Sequence, residues 1–112
     1  MKFIIAIIKP FQLDAVRDAL IDVGIVGMTV SDVRGYGRQK GHRSLGGGRE
    51  ATVNFVPKLK IEIVVPASQA DKAIAAIAHS AKTGDIGDGK IFVFGLDQVM
   101  RIRTGELDAA AL

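Results

Sequence analysis

The chain has 112 residues, of which 48% are apolar and 24% charged, a balance that suits one globular domain and excludes disorder along most of the length. It has no cysteine, which excludes a disulfide framework, a thiolate zinc site and a cysteine nucleophile. The net charge is only +3, but Arg34, Arg38, Lys40, Arg43, Arg49, Lys58 and Lys60 face Glu50 alone, so residues 34–60 carry +6 and the remainder −3. Such a segment attracts phosphate, carboxylate, nucleic acid or acidic protein surfaces, unless it serves only as a solvated loop.

Residues 2–9 (KFIIAIIK) form an apolar run without alternation, which predicts a strand buried on both faces. The uncharged run 3–8 is too short for a membrane span or a signal-peptide core, so the expected location is cytoplasmic, with no membrane insertion. Pro10 breaks the strand; Leu13, Val16, Leu20 and Val23 then follow near-helical spacing up to Gly24, which suits the left-handed position that closes a helix. Residues 28–35 (MTVSDVRG) alternate imperfectly and predict a second strand. From about 37 to 56 the pattern dissolves into glycine and cations, with glycine at 46, 47 and 48. Loops of this length in a compact domain are usually functional.

Residues 58–66 (KLKIEIVVP) alternate clearly and predict a third strand. Ser68 with Asp71 makes a weak capping box for a helix with Ala70, Ala73, Ile74, Ile77 and Ala81 on one face, closed by Gly84. Residues 90–96 (KIFVFGL) predict a fourth strand, and residues 99–102 a short fifth. The order βαββαβ, over a single domain of residues 1–112, is the ferredoxin-like α+β arrangement. Its sheet carries both helices on one face. Since strands such as FIIAII and IFVF are apolar on both faces, the other face needs a cover, and no segment of the chain remains to supply it. The expectation is a homo-oligomer with its sheets packed inward.

The densest chemical signal is TGDIGDGK at residues 83–90. Glycines let backbone N–H groups approach oxygen closely and lysine supplies a point charge, so the stretch suits a phosphate-cradling turn. It is not a GxxxxGK[ST] loop, and a strand follows rather than a helix. Taken in isolation, the stretch is better explained as a plain helix-to-strand turn capped by Gly84. Arg101 and Arg103, two residues apart, share a face of an extended segment and suit an anion, or a salt bridge to Glu106 or Asp108. Gly35-Tyr36-Gly37-Arg38-Gln39-Lys40-Gly41 adds a third cluster of glycine and cations. Together the three favour an anionic ligand, most simply a nucleotide phosphate. His42 and His79 lack the spacing of a metal pair. There is no nucleophile triad and no clustered acid/base pair. Nucleic acid is disfavoured, because the third strand (KIEIVV) offers no aromatic residue for base stacking.

These residues carry a resemblance to a known family. Stretches 6–20 (AIIKPFQLDAVRDAL), 27–42 (GMTVSDVRGYGRQKGH), 56–66 (VPKLKIEIVVP), 83–94 (TGDIGDGKIFVF) and 101–106 (RIRTGE) together resemble the PII signal-transduction proteins over essentially the whole chain. The resemblance implies a homotrimer of ferredoxin-like subunits that binds ATP or ADP in the clefts between subunits. The phosphates would meet Gly37, Arg38, Gly87, Asp88, Gly89, Lys90, Arg101 and Arg103, with Thr29 and Val64 on the base and ribose side. It further implies that 2-oxoglutarate binds beside Mg2+ and ATP at the root of the long loop, called the T-loop in that family. Gln39 would join the phosphates on Mg2+, Gly41 would admit the dicarboxylate, and Lys58 would pair with its distal carboxylate.

The resemblance stops at the loop tip. Many members carry there a tyrosine that accepts a uridylyl group; the matching residue is Ala51, which has no hydroxyl to modify. Arg49 stands where some members have a phosphorylated serine, and Gly47 where others insert an arginine into ammonium channels. The implied function is non-catalytic sensing of adenine nucleotide and 2-oxoglutarate, read by a target protein through the loop in nitrogen regulation. Alternatives are a transporter or efflux client other than an ammonium channel, a metabolic enzyme as client, or a slow nucleotide hydrolase with Asp88 as its base.

Overall fold

The computed structural model describes residues 1–37 and 54–112. Strand β1 (Lys2–Ile8) leads through a one-turn 3-10 helix (Pro10–Gln12) into helix α1 (Leu13–Asp22). Strands β2 (Thr29–Gly35) and β3 (Val56–Val65), helix α2 (Ala67–Ala81) and strand β4 (Lys90–Gly95) follow, and a second 3-10 helix (Asp108–Ala111) ends the order. The four strands form one sheet in the order β2-β3-β1-β4, with every neighbouring pair antiparallel. This is the expected ferredoxin-like βαββαβ fold.

One face of the sheet makes the core. Ile4, Ala6 and Ile8 of β1 lie beside Leu59, Ile61, Ile63 and Val65 of β3, all buried. They meet Val16 and Leu20 of α1 and Ala70, Ala73, Ile77 and Ala81 of α2. Three of the four α2 contacts are alanines, which lets the helix axis approach the sheet closely. The alternation in β3 therefore points its period-2 apolar set at the period-3.6 stripes of both helices.

The opposite face is different. Phe3, Ile5 and Ile7 of β1 pair in register with Phe94, Phe92 and Lys90 of β4, and cross-strand partners share a face. Phe92 and Phe94 remain 48% and 46% exposed in the single chain, and the Phe3 and Phe94 rings touch at 5.0 Å. Both helices pack on the other side, so within one chain this apolar face has no cover; it is the face for which the sequence leads to the expectation of a second chain.

Helix α1 ends as expected. Gly24 has φ +89°, its N–H donates to the Ile21 carbonyl, and the Ile25 N–H reaches back to the Leu20 carbonyl, a Schellman motif. Helix α2 departs from expectation at both ends. It starts at Ala67 with Pro66 as its N-cap and no side-chain cap, so the Ser68/Asp71 capping box does not form. Pro66 leaves β3 with an extended backbone, and its carbonyl accepts the Gln69 N–H at 2.9 Å, so the helix begins before Ser68 could cap it. At the other end Lys82 is already extended. Gly84 lies beyond the helix and its N–H belongs to the following turn, so it is not the cap.

The expected fifth strand at residues 99–102 also does not form. Met100 and Leu107 make an isolated bridge around a tight turn, in which the Gly105 N–H bonds the Arg101 carbonyl and the Arg101 N–H bonds the Glu106 carbonyl. Asp108, at φ +54°, then turns the chain into the 3-10 helix and ends the pairing.

Strands β2 and β3 pair as far as Gly35 and Val56, so the segment that joins them starts from a paired stem. At its root the Tyr36 and Phe55 rings pack edge to face at 5.1 Å. Arg38, Gln39, Gly41 and the tip residues Gly47, Arg49 and Ala51 lie outside the described residues. Among the described residues no helix is long and apolar enough to cross a membrane.

Candidate functional site

The turn between α2 and β4 is built around one carboxylate. Asp88 accepts the backbone N–H of Thr83 at 2.9 Å and of Gly84 at 2.8 Å on one oxygen. Its other oxygen takes the Thr83 hydroxyl and lies 3.3 Å from the Lys9 ammonium. Lys9 also donates to the Thr83 oxygen at 3.0 Å, and the Asp85 N–H reaches that oxygen at 3.2 Å. The Thr83 hydroxyl, with the Gly84 and Thr83 N–H groups and Lys9, holds the Asp88 carboxyl far below the usual carboxylate range, against a smaller opposing effect of burial. A carboxylate with four donors has no lone pair left for other work.

The glycines are required by the backbone. Gly87 and Gly89 have φ +99° and +95°, and a Cβ on Gly89 would sit 1.7 Å from the Ile7 carbonyl oxygen. No side chain fits there, so the turn lies directly against the end of β1. A Cβ on Gly87 would meet Lys58 Nζ at 3.2 Å and Lys9 Cε at 3.4 Å, so two lysines flank this residue. Lys58 donates to the Gly87 carbonyl at 2.5 Å, tying β3 to the turn.

A cleft of about 490 Å³ opens in front of the turn on the open side of the sheet. It brings together Gly37, Lys58, Gly87, Asp88, Gly89 and Lys90, six of the residues expected at the site, beside the loop root at Tyr36. Among the described residues its cations are Lys58 and Lys90, and the one carboxylate on its wall is already engaged. Cationic lining and glycine backbone suit an anion.

The other expected residues that the structure describes lie elsewhere. Thr29 and Val64 line a second cleft, of about 650 Å³, with Phe3, Gly27, Glu62 and Leu112. On β1 the two clefts lie at Phe3 and Ile7, four residues and roughly 13 Å apart along the strand. Arg101 pairs with Glu106 at 3.5 Å and points a nitrogen at the Ala111 carbonyl at 3.4 Å, so the salt-bridge reading of this arginine holds in the single chain. Neither Arg101 nor Arg103 lines either cleft. Among the described residues no group of three His, Cys, Asp or Glu side chains could hold a metal ion.

Lys9 was not legible as a site residue. It follows a strand and precedes a proline, where a lysine is ordinary. Its role comes from the antiparallel neighbourhood of β1 and β4, in which Ile7 pairs with Lys90 and the end of β1 lies against the turn.

Fold and site together define a small ferredoxin-like α+β protein with a cationic glycine-turn cleft next to the stem of β2 and β3. The family model described as nitrogen regulatory protein P-II matches residues 1–106. The nitrogen regulatory protein P-II of Rhizobium etli is 61% identical over 112 residues, all of both chains. The nitrogen regulatory protein P-II 1 of Escherichia coli K12 is also 61% identical over the full length of both, and the P-II protein of Pasteurella multocida 60%. The chain belongs to the nitrogen regulatory protein P-II family. Proteins of this family are regulators that act on target proteins and are not catalysts.

Proposed function

We propose that the protein senses adenine nucleotide and 2-oxoglutarate in the cytoplasm and reports their occupancy to a target protein through its long loop. The observation that carries this reading is the cleft in which Lys58 and Lys90 converge on the Gly87–Gly89 turn, beside the stem of that loop. ATP or ADP phosphates are its natural occupants, held by glycine N–H groups and Lys90, with Arg38 joining from the loop.

The split of the expected residues between two clefts supports a homotrimer. In such an assembly the Thr29 and Val64 end of one subunit would complete the glycine-turn end of its neighbour, with Arg101 and Arg103 brought to the phosphates. The apolar side of the sheet, with Phe3, Ile5, Phe92 and Phe94, supplies the surface to bury. Arg101 would then exchange its Glu106 pairing for the ligand.

Bound with ATP, Mg2+ would be held by the phosphates and Gln39 and would offer a coordination position to the 2-oxo acid. Lys58 would turn from the Gly87 carbonyl to the distal carboxylate of 2-oxoglutarate. That exchange couples the ligand to the turn and the loop stem at once, and the loop follows because each ligand favours one of its states. The client is a membrane transporter or a metabolic enzyme of nitrogen use. Gly47 at the tip favours a transporter other than an ammonium channel, or an efflux system. The hydrolase alternative finds no support at Asp88, whose oxygens are occupied by Thr83, Gly84 and Lys9.

Calorimetry with Lys90→Ala and Arg103→Ala combined tests the nucleotide site. Each lost charge-assisted hydrogen bond costs about 1.5–3 kcal/mol, roughly ten- to a hundredfold in affinity. Unchanged ATP affinity would refute the assignment.

A further inference from the structure

We infer that Lys9 and Thr83 are positioning residues for the phosphate-binding turn, acting through the Asp88 carboxylate, an inference that rests on the nucleotide reading above. Lys9 sits one residue beyond the end of β1, and its ammonium reaches Thr83 across 74 positions of sequence, at 3.0 Å. The same nitrogen lies 3.3 Å from Asp88, and both side chains are only about a quarter exposed. Lys9 is not on the wall of the cleft that Lys58 and Lys90 line. It braces the turn through Thr83 and Asp88.

The need for a brace follows from the turn's composition. Gly84, Gly87 and Gly89 all adopt positive φ, and glycine loses the most conformational freedom when fixed. A turn left loose would have to be ordered by its ligand, at a cost in affinity. In the structure the ordering is done from within. Asp88 gathers the N–H groups of Thr83 and Gly84, which would otherwise compete for an incoming anion. Thr83 orients that carboxylate with its hydroxyl, and Lys9 offsets its charge, so that a phosphate approaching Gly87 meets less repulsion from it. A lone surface ion pair would contribute little. Here Lys9, Thr83 and Asp88 form one closed network, and its members should not act independently.

The test uses the full-length protein, Mg2+ with ATP as the probe, and the variants Lys9→Met, Thr83→Val, Thr83→Ser, the double variant and Lys90→Ala. Lys9→Met keeps the aliphatic stem over Gly87 and removes the charge; Thr83→Val keeps the shape and removes the hydroxyl. Both are expected to weaken ATP binding by about tenfold and to speed amide exchange at Gly84, and the double variant to lose little more than either. Thr83→Ser should restore both properties. Unchanged ATP affinity in Lys9→Met and Thr83→Val, while Lys90→Ala binds more weakly, would overturn the positioning role and leave the nucleotide site standing. Additive losses, or losses with no change in Gly84 exchange, would overturn it as well. If Lys90→Ala also leaves ATP affinity unchanged, the nucleotide reading falls and takes the inference with it.

Discussion

Gly89 and Asp88 are neighbours that fix the turn in opposite ways, one by lacking a side chain and the other by using all of its own. At Gly89 a methyl group would sit 1.7 Å from the Ile7 carbonyl oxygen, so Gly89→Ala must push β4 away from β1. The positive φ alone costs about 1–2 kcal/mol, and the clash adds to it. Urea unfolding should therefore show a larger loss than that, together with loss of ATP binding. The Asp88 turn is expected to loosen in acid. The carboxyl is held below its ordinary value of 3.8 by Thr83, Gly84 and Lys9. A depressed carboxylate contributes stability that is fully present above its unfolded-state value and is lost as pH falls toward the folded one. Amide protection at Thr83 and Gly84 should thus persist at pH 5 and decline progressively below pH 3.8. Asp88→Asn should remove that pH dependence while lowering protection at neutral pH, because an amide offers one oxygen where the carboxylate offered two. Protection that follows the same acid profile in both proteins would contradict the assignment.

At the scale of elements, α2 is the weakest tolerance point, because three alanines leave Ile77 as its one large fully buried side chain. Ile77→Ala should cost about 2–5 kcal/mol in urea unfolding, the range for truncating a buried isoleucine to alanine. Ile74→Ala, which is only partly buried, should cost less. Both outcomes bear on how legible the elements were. The strands and helices were readable where burial imposes a period: Leu59, Ile61, Ile63 and Val65 alternate because one side faces the helices, and Ala70, Ala73, Ile77 and Ala81 recur because one stripe faces the sheet. Their ends were less readable. The start of α2 is decided by the extended backbone of Pro66, and the segment around Met100 by a turn that closes after one bridge. Neither leaves a mark in hydropathy. The site divides in the same way. Gly87, Gly89 and Lys90 announce themselves as a local motif, whereas Lys9 belongs to the site only because an antiparallel partner brings it there. In the proposed assembly Arg101 would show the converse, a residue brought to the ligand by a neighbouring subunit.

At the scale of the whole molecule, the phenylalanines at positions 92 and 94 beside Phe3 leave an apolar face uncovered in the single chain, the face that the proposed trimer would bury. Light scattering at micromolar concentration should give a mass about three times the 11.9 kDa of the chain; a monomer mass would remove the neighbour that the divided site requires. Phe92→Glu should dissociate the assembly, since it would place a charge in the apolar contact, and should weaken ATP binding with it. The sensing claim rests on a linkage between two ligands, and calorimetric titration of 2-oxoglutarate measures it most directly. Into protein saturated with ATP and Mg2+, 2-oxoglutarate should bind at the Lys58 site, and Lys58→Met should abolish that binding while sparing ATP. Into protein saturated with ADP it should give no binding, because the γ-phosphate that helps hold the metal is missing. Equal binding in the two nucleotide states, or binding indifferent to Lys58→Met, would contradict the account.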